Sequence, residues 1–352
     1  MGAAQRGHLA MSAPRRSSIA FGVAVGLALA LFALRLASAP AGSAQAPAAD
    51  ASADPTQVRY FPVIFVQRPP PTGAPPIVTP PASGDWHAVL AYYRASARLP
   101  GVSENGAWSV GAANHAKYMA ENDVLASSEA TGTPYYTASG ATEAANSNLM
   151  LSGDPSTTDQ QALDFWMAKP FHALGILDPA LLTTGFGSYR ESASEGPFDQ
   201  WQMGAVMDVR QGLGAIPSVV RFPIKWPEQN STVYLTSYDG NEQPDPLASC
   251  AGYTPPSGLP IILQIGPGGS TVNVSAASFK QGSTSLPYCL FTPTTYDNLD
   301  PNLQTLGRQI LAASDAVVLI PQQPLAAGND YTASISVNGQ VVTWTFHVAP
   351  AP

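Results

Sequence analysis

Charge is what this sequence has least of: only 11% of its 352 residues are Asp, Glu, Lys or Arg, against 45% hydrophobic. Acids outnumber bases 24 to 16, for a net charge of −8. With no basic run and no interleaving of aromatic and basic residues, such a surface repels phosphate backbones, which argues against nucleic acid as a partner. Cysteine is scarce too. Neither Cys250 nor Cys289 belongs to a Cys-x-x-Cys, and no histidine lies between them, so nothing suggests a zinc site. In an exported chain this pair is expected to form a disulfide, the alternative being two buried thiols. His-Glu-x-x-His, Gly-x-Ser-x-Gly and a phosphate-cradling glycine loop are all missing, and with them the common hydrolase and nucleotide-binding signatures.

What the chain does have is an export-type start and 34 prolines. Arg15 and Arg16 precede an apolar run over 19–34, followed by small-residue sites at Ala37-Ser-Ala39 and Gly42-Ser-Ala44-Gln-Ala46. Residues 1–46 therefore read as a secretory signal, either cleaved or retained as an N-terminal membrane anchor through 19–34. They hold four arginines and no acid, so their removal takes the net charge from −8 to −12. Residues 47–82 carry Pro69-Pro70-Pro71, Pro75-Pro76 and Pro80-Pro81 and read as an extended spacer, interrupted by the apolar run 60–66. The expected localisation is extracellular or at the cell surface.

From residue 83 the texture is that of a packed domain. Trp86, Val89, Leu90 and Tyr93 share one helical face, as do Trp108, Ala112, His115, Ala116 and Met119. Thr158 and Gln161 have the form of a capping box ahead of Ala162, Leu163, Trp166 and Met167, with Pro170 as the helix stop. Trp201, Met203, Ala205, Met207 and Val209 alternate as in a half-buried strand. After Gly212 short apolar runs are broken by Pro and Gly, and no long helical period is evident. Tyr331 to Val337 and Val342 to Val348 alternate on either side of Asn338-Gly339, the mark of a type I′ hairpin.

Three segments in order carry a resemblance. Asn114-His115-Ala-Lys-Tyr-Met-Ala-Glu-Asn122, Trp166-Met-Ala-Lys-Pro-Phe-His172-Ala-Leu-Gly-Ile-Leu-Asp-Pro179 and Gly185-Phe-Gly187-Ser-Tyr189 resemble the bacterial CAP (SCP-like extracellular) family over roughly 83–212. Pro324-Leu-x-x-Gly-x-x-Tyr331 through Trp344-x-Phe346 is similar to the ending of bacterial Ig-like modules. The resemblance implies an α+β chain: a CAP-type α-β-α sandwich at 83–213, then an all-β Ig-like sandwich at 214–350.

Many CAP domains ring a cleft with two histidines and two glutamates that bind a divalent metal. Carried onto this chain, the first histidine position is Ser127, the first glutamate is Ser147, the second glutamate is Lys169, and His172 alone remains. No metal and no cofactor are therefore expected. His172 reads either as a turn histidine bonded to the cleft backbone or as a ligand contact. His115 reads as a core histidine. Tyr135, Tyr136 and Phe171 either line an aromatic cleft or pack in loops. The expected function is non-enzymatic binding of a small ligand, lipid or glycan, or of a cell-surface partner. The alternative is an extracellular hydrolase rebuilt around His172 and Glu143, with Ser127 as a conceivable nucleophile.

Overall fold

The computed structural model describes residues 85–191 and 200–351, all within one compact unit that spans 69–352. The expected leader, the proline-rich spacer and the apolar run 60–66 lie outside the described residues. Among those described, no helix is long and apolar enough to cross a membrane.

The first half runs α1 (Trp86–Ala95), β1 (Ser103–Glu104), α2 (Gly106–Glu121), α3 (Ala138–Asn146), β2 (Ser147–Ser152), α4 (Asp159–Met167), α5 (Pro170–Ile176), β3 (Thr183–Thr184), β4 (Phe186–Arg190) and β5 (Met203–Asp208). Its first four helices start on side-chain caps. Asp85, Asn105, Thr137 and Thr158 each accept a main-chain N–H of the first turn, and Thr158 and Gln161 close the reciprocal box expected of them. Pro170 does not end α4, which stops at Met167; it opens α5 as the first helical residue, where its missing N–H costs nothing.

The antiparallel sheet β2-β5-β4 has β5 at its centre. Met203, Ala205 and Met207 face a core shared with Val89, Leu90, Leu163 and Trp166, while Val206 faces Ala112, Ala116 and Met119 of α2. Helices thus cover both faces, and every residue of β5 is buried, whereas its alternation suggested a strand half exposed. The small alternate residues are what let α2 sit directly on the backbone: a Cβ on Gly204 would lie 2.5 Å from the Ala116 carbonyl oxygen.

The second half adds β6 (Ile224–Trp226), β7 (Thr232–Val233), β8 (Ser237–Tyr238), β9 (Ser257–Gly258), β10 (Ile261–Gln264), β11 (Val274–Gln281), β12 (Thr284–Ser285), β13 (Tyr288–Phe291), α6 (Pro301–Ala313), β14 (Ala316–Pro321), β15 (Asn329–Val337) and β16 (Gln340–Val348). Two larger sheets result, β13-β14-β10-β6 and β12-β11-β15-β16-β7. Asn338 and Gly339, at φ 49° and 78°, make the expected turn between β15 and β16 with Val337 opposite Gln340. Helix α6 corrects the reading of this half as free of long helices. Asp300 caps it and Pro301 is its first residue, a regular helix-start signal. Only Gly307 and Leu311 of α6 are buried, yet Leu303, Leu306, Ile310 and Leu311 recur at helical spacing, so the period was there to be read.

The two halves share one core. Trp226, wholly buried, packs edge-on to Tyr93 and donates from Nε1 to Ser96 Oγ at 3.2 Å. The hydroxyls of Tyr93 and Tyr234 both reach Asp164 Oδ1, and burial pushes that carboxyl above its usual range. Phe171 is buried against Phe291 and Tyr296, so it does not share a cleft with Tyr135, which lies 43% exposed beneath Lys117.

Cys250 and Cys289, 39 apart in sequence, form the expected disulfide. Closing a loop of that length restricts the unfolded chain by about 3–4 kcal/mol on the chain-entropy model. Reduction is expected to lower the unfolding free energy by that amount, as read by urea unfolding of wild type with and without reductant. An unchanged midpoint would mean that the bridge is strained by as much as it constrains.

Candidate functional site

His172 lies on the first turn of α5, not in an open turn, because Pro170 starts a helix there. Its Nδ1 is 2.7 Å from Glu242 Oε1, and the same oxygen accepts its main-chain N–H at 3.0 Å. Glu242 is completely buried and comes from the second half of the chain, whereas the His172 ring is 21% exposed. The Nδ1 contact orients the ring, and Nε2 has no partner among the described residues. The His172 carbonyl accepts from Asn148 Nδ2 at 3.2 Å, tying the helix to β2.

Lys169, immediately ahead of α5, is fully buried. Its Nζ sits 2.6 Å from Asp239 Oδ1 and 3.5 Å from the centre of the Phe165 ring. Burial lowers its pKa, opposed by the hydrogen bond and charge of Asp239 and by Glu242. Asp239 and Glu242 flank Gly240 and Asn241, both left-handed at φ 91° and 60°. That turn lays two carboxylates of the second half against Lys169 and His172 of the first.

Glu143, on α3, belongs to a different set. Its Oε1 accepts from Gln211 Nε2 at 2.9 Å, Gln211 Nε2 also donates to Asp208 Oδ2, and Glu143 Oε2 is buried without a hydrogen bond. Ser147 Oγ, just past the end of α3, is likewise buried without a bond of ordinary geometry, although its hydroxyl lies close enough to the Glu143 carboxyl to lower its pKa. Burial, partly offset by the Gln211 N–H and reinforced by Asp208, pushes the Glu143 carboxyl up to about 7. Ser127 is exposed in the loop between α2 and α3. Thus His172 and Lys169 are brought together, Glu143 and Ser147 form a neighbouring set, and Ser127 joins neither.

His115 is a core histidine: it is completely buried, with Nδ1 3.0 Å from Glu129 Oε1 and Nε2 2.8 Å from the Ala126 carbonyl oxygen. Among the described residues, no group of three or more His, Cys, Asp or Glu side chains is arranged to hold a metal ion.

A capped α2 against β5 and β4, the α4–α5 corner and the histidine at that corner coincide with a match of residues 87–201 to the family model for the cysteine-rich secretory protein family, CAP. Over those residues the chain is similar to the CAP family. Among curated proteins none matches the chain. The CAP segment holds His172, Lys169, Glu143, Ser147 and Ser127, whereas Glu242 and Asp239, the partners of the first two, lie beyond it. Sequence reasoning missed both. Their one signal was scarcity: in a chain so poor in charge, an acid in a Gly-Asn turn asks for a partner.

Proposed function

We propose that this is an exported or cell-surface protein whose CAP domain is a metal-free, non-enzymatic binding module, followed by an Ig-like β-sandwich over 214–350. The ligand is a small lipid or glycan, or a cell-surface partner, met at the His172 face. The observation that carries this reading is the buried Lys169, paired with the exposed carboxylate of Asp239, beside His172. A cation stands where a metal site needs an anion, and the His172 Nδ1 is already committed to Glu242. With serines at 127 and 147, the residues present do not fit a divalent ion. Glu143 and His172 engage separate partners, which gives no support to a hydrolase built on the two.

The test is zinc titration calorimetry of the full-length chain beside binding to lipid vesicles and a glycan panel, each repeated with His172→Ala. The expected result is no zinc uptake at micromolar concentration and a lipid or glycan signal that weakens in the variant. Tight zinc binding abolished by His172→Ala, or turnover of an ester or peptide abolished by it, overturns the proposal.

A further inference from the structure

We infer that Glu143, Asp208 and Gln211 form a one-proton clamp that fastens the C-terminal end of α3 to the end of β5 and loosens when that proton leaves. The hydrogen-bond geometry allocates the proton. Asp208 Oδ1 accepts the main-chain N–H groups of Arg210 and Gln211, each at 2.8 Å, and Oδ2 accepts one hydrogen of the Gln211 amide. The other amide hydrogen goes to Glu143 Oε1. Asp208 is therefore served as a carboxylate on both oxygens, while Glu143 has one well-formed donor bond for two oxygens: Oε2 is buried with none, and the nearby Ser147 hydroxyl, which lowers the Glu143 pKa, makes no bond of ordinary geometry. A second negative charge beside Asp208 in this buried place is costly, so Glu143 holds the proton.

No other charge in the surroundings takes over this role. On α2, packed against α3, His115 is engaged by Glu129, Lys117 lies over the rings of Tyr135 and Tyr189, Glu121 accepts from the Tyr189 hydroxyl, and the Tyr118 hydroxyl accepts the Ala130 N–H. Strand β2 has no titratable side chain and β5 has only Asp208. Arg210, on the turn after β5, is exposed and has an interaction of its own. Glu129, near the start of α3, binds His115 and the Thr137 N–H.

Loss of the proton from Glu143 to solvent leaves two buried carboxylates on one amide. The joint they hold includes the Val209 N–H to Asn146 carbonyl bond at 3.0 Å, and two residues beyond Asn146 is the Asn148 that holds His172. Release therefore reaches the support of the CAP histidine. The sign follows from a folded pKa of about 7 against an unfolded value of about 4.5. The clamp's contribution is complete below 4.5 and is lost progressively up to 7, beyond which it changes no further.

Hydrogen exchange of the full-length chain, corrected for intrinsic rates, tests this at pH 5 to 8.5. Protection at 146–148 and 209–212 is expected to fall by about tenfold per pH unit up to pH 7 and then level off. In Glu143→Gln that slope disappears, while α1 and α4 behave alike in both proteins. Equal slopes in wild type and variant overturn the clamp. Should the variant fail to fold, the Glu143 carboxyl carbon shift in wild type decides: titration near 7 sustains it, and titration near 4.5 overturns it.

Discussion

Replacing Arg94 by Met is expected to lower the unfolding free energy by about 4 kcal/mol, and replacing it by Lys to recover little of that. Arg94 closes α1 and is completely buried. Its Nε donates to the Pro100 carbonyl at 2.8 Å, Nη1 to the carbonyls of Ile176 and Asp178 at 2.7 and 3.0 Å, and Nη2 to that of Leu181 at 3.2 Å. Methionine fills the space but leaves four carbonyls without their cationic donor. A lysine is a point charge that cannot reach all four at once. Burial lowers the guanidinium pKa to about 10, with Asp178 opposing, so the group remains charged at neutral pH. Urea unfolding at pH 7 measures the loss. A change under about 1 kcal/mol would show that water replaces the guanidinium, because an unsatisfied buried carbonyl costs more than that.

Trp226→Ala is expected to cost about 4 kcal/mol, the usual range for deleting a fully buried large aromatic side chain. Its indole fills the junction between α1 and the β6 sheet and satisfies Ser96 Oγ. Because both halves draw on that core, the variant should still unfold in one transition, only earlier. Two separate transitions, read by tryptophan fluorescence and far-ultraviolet circular dichroism, would show that the halves fold independently and that Trp226 serves only one of them.

Features written in local pattern were legible. Thr158 and Gln161 announce a helix start within four residues, and Asn338-Gly339 needs only its flanking strands to announce a turn. The helical stripe of α2 and the alternation of β5 were readable for the same reason, although alternation could not say that both faces are covered. That depends on α2 and α4, which belong to other parts of the chain. Arg94, Lys169 and His172 were harder. A basic residue in the last turn of a helix ordinarily points to water, and nothing near Arg94 reveals four carbonyls waiting 6 to 87 residues away. His172 was identified by its neighbours at 166–179, yet its partner, Glu242, lies 70 residues further on. Side chains that join distant segments leave no period in the sequence.

Strand β7 is two residues long and lies at the edge of the five-stranded sheet, pairing in parallel with β16 through Thr232–His347 and Val233–Val348. On the ribosome, and during any passage through a narrow pore, Thr232 and Val233 precede their partner by most of the second half. The β15–β16 hairpin can form as soon as its own residues are free, but β7 must wait for it. Tyr92 donates to the Thr232 carbonyl, so α1, among the first described residues to emerge, is bonded to one of the last segments to settle. Such long-range closure slows folding and leaves unpaired edges exposed meanwhile. The contacts that seat β7, unlike the longer-range bonds of Tyr92 and Tyr93 to Thr232 and Tyr234, can form only once Val348 has emerged.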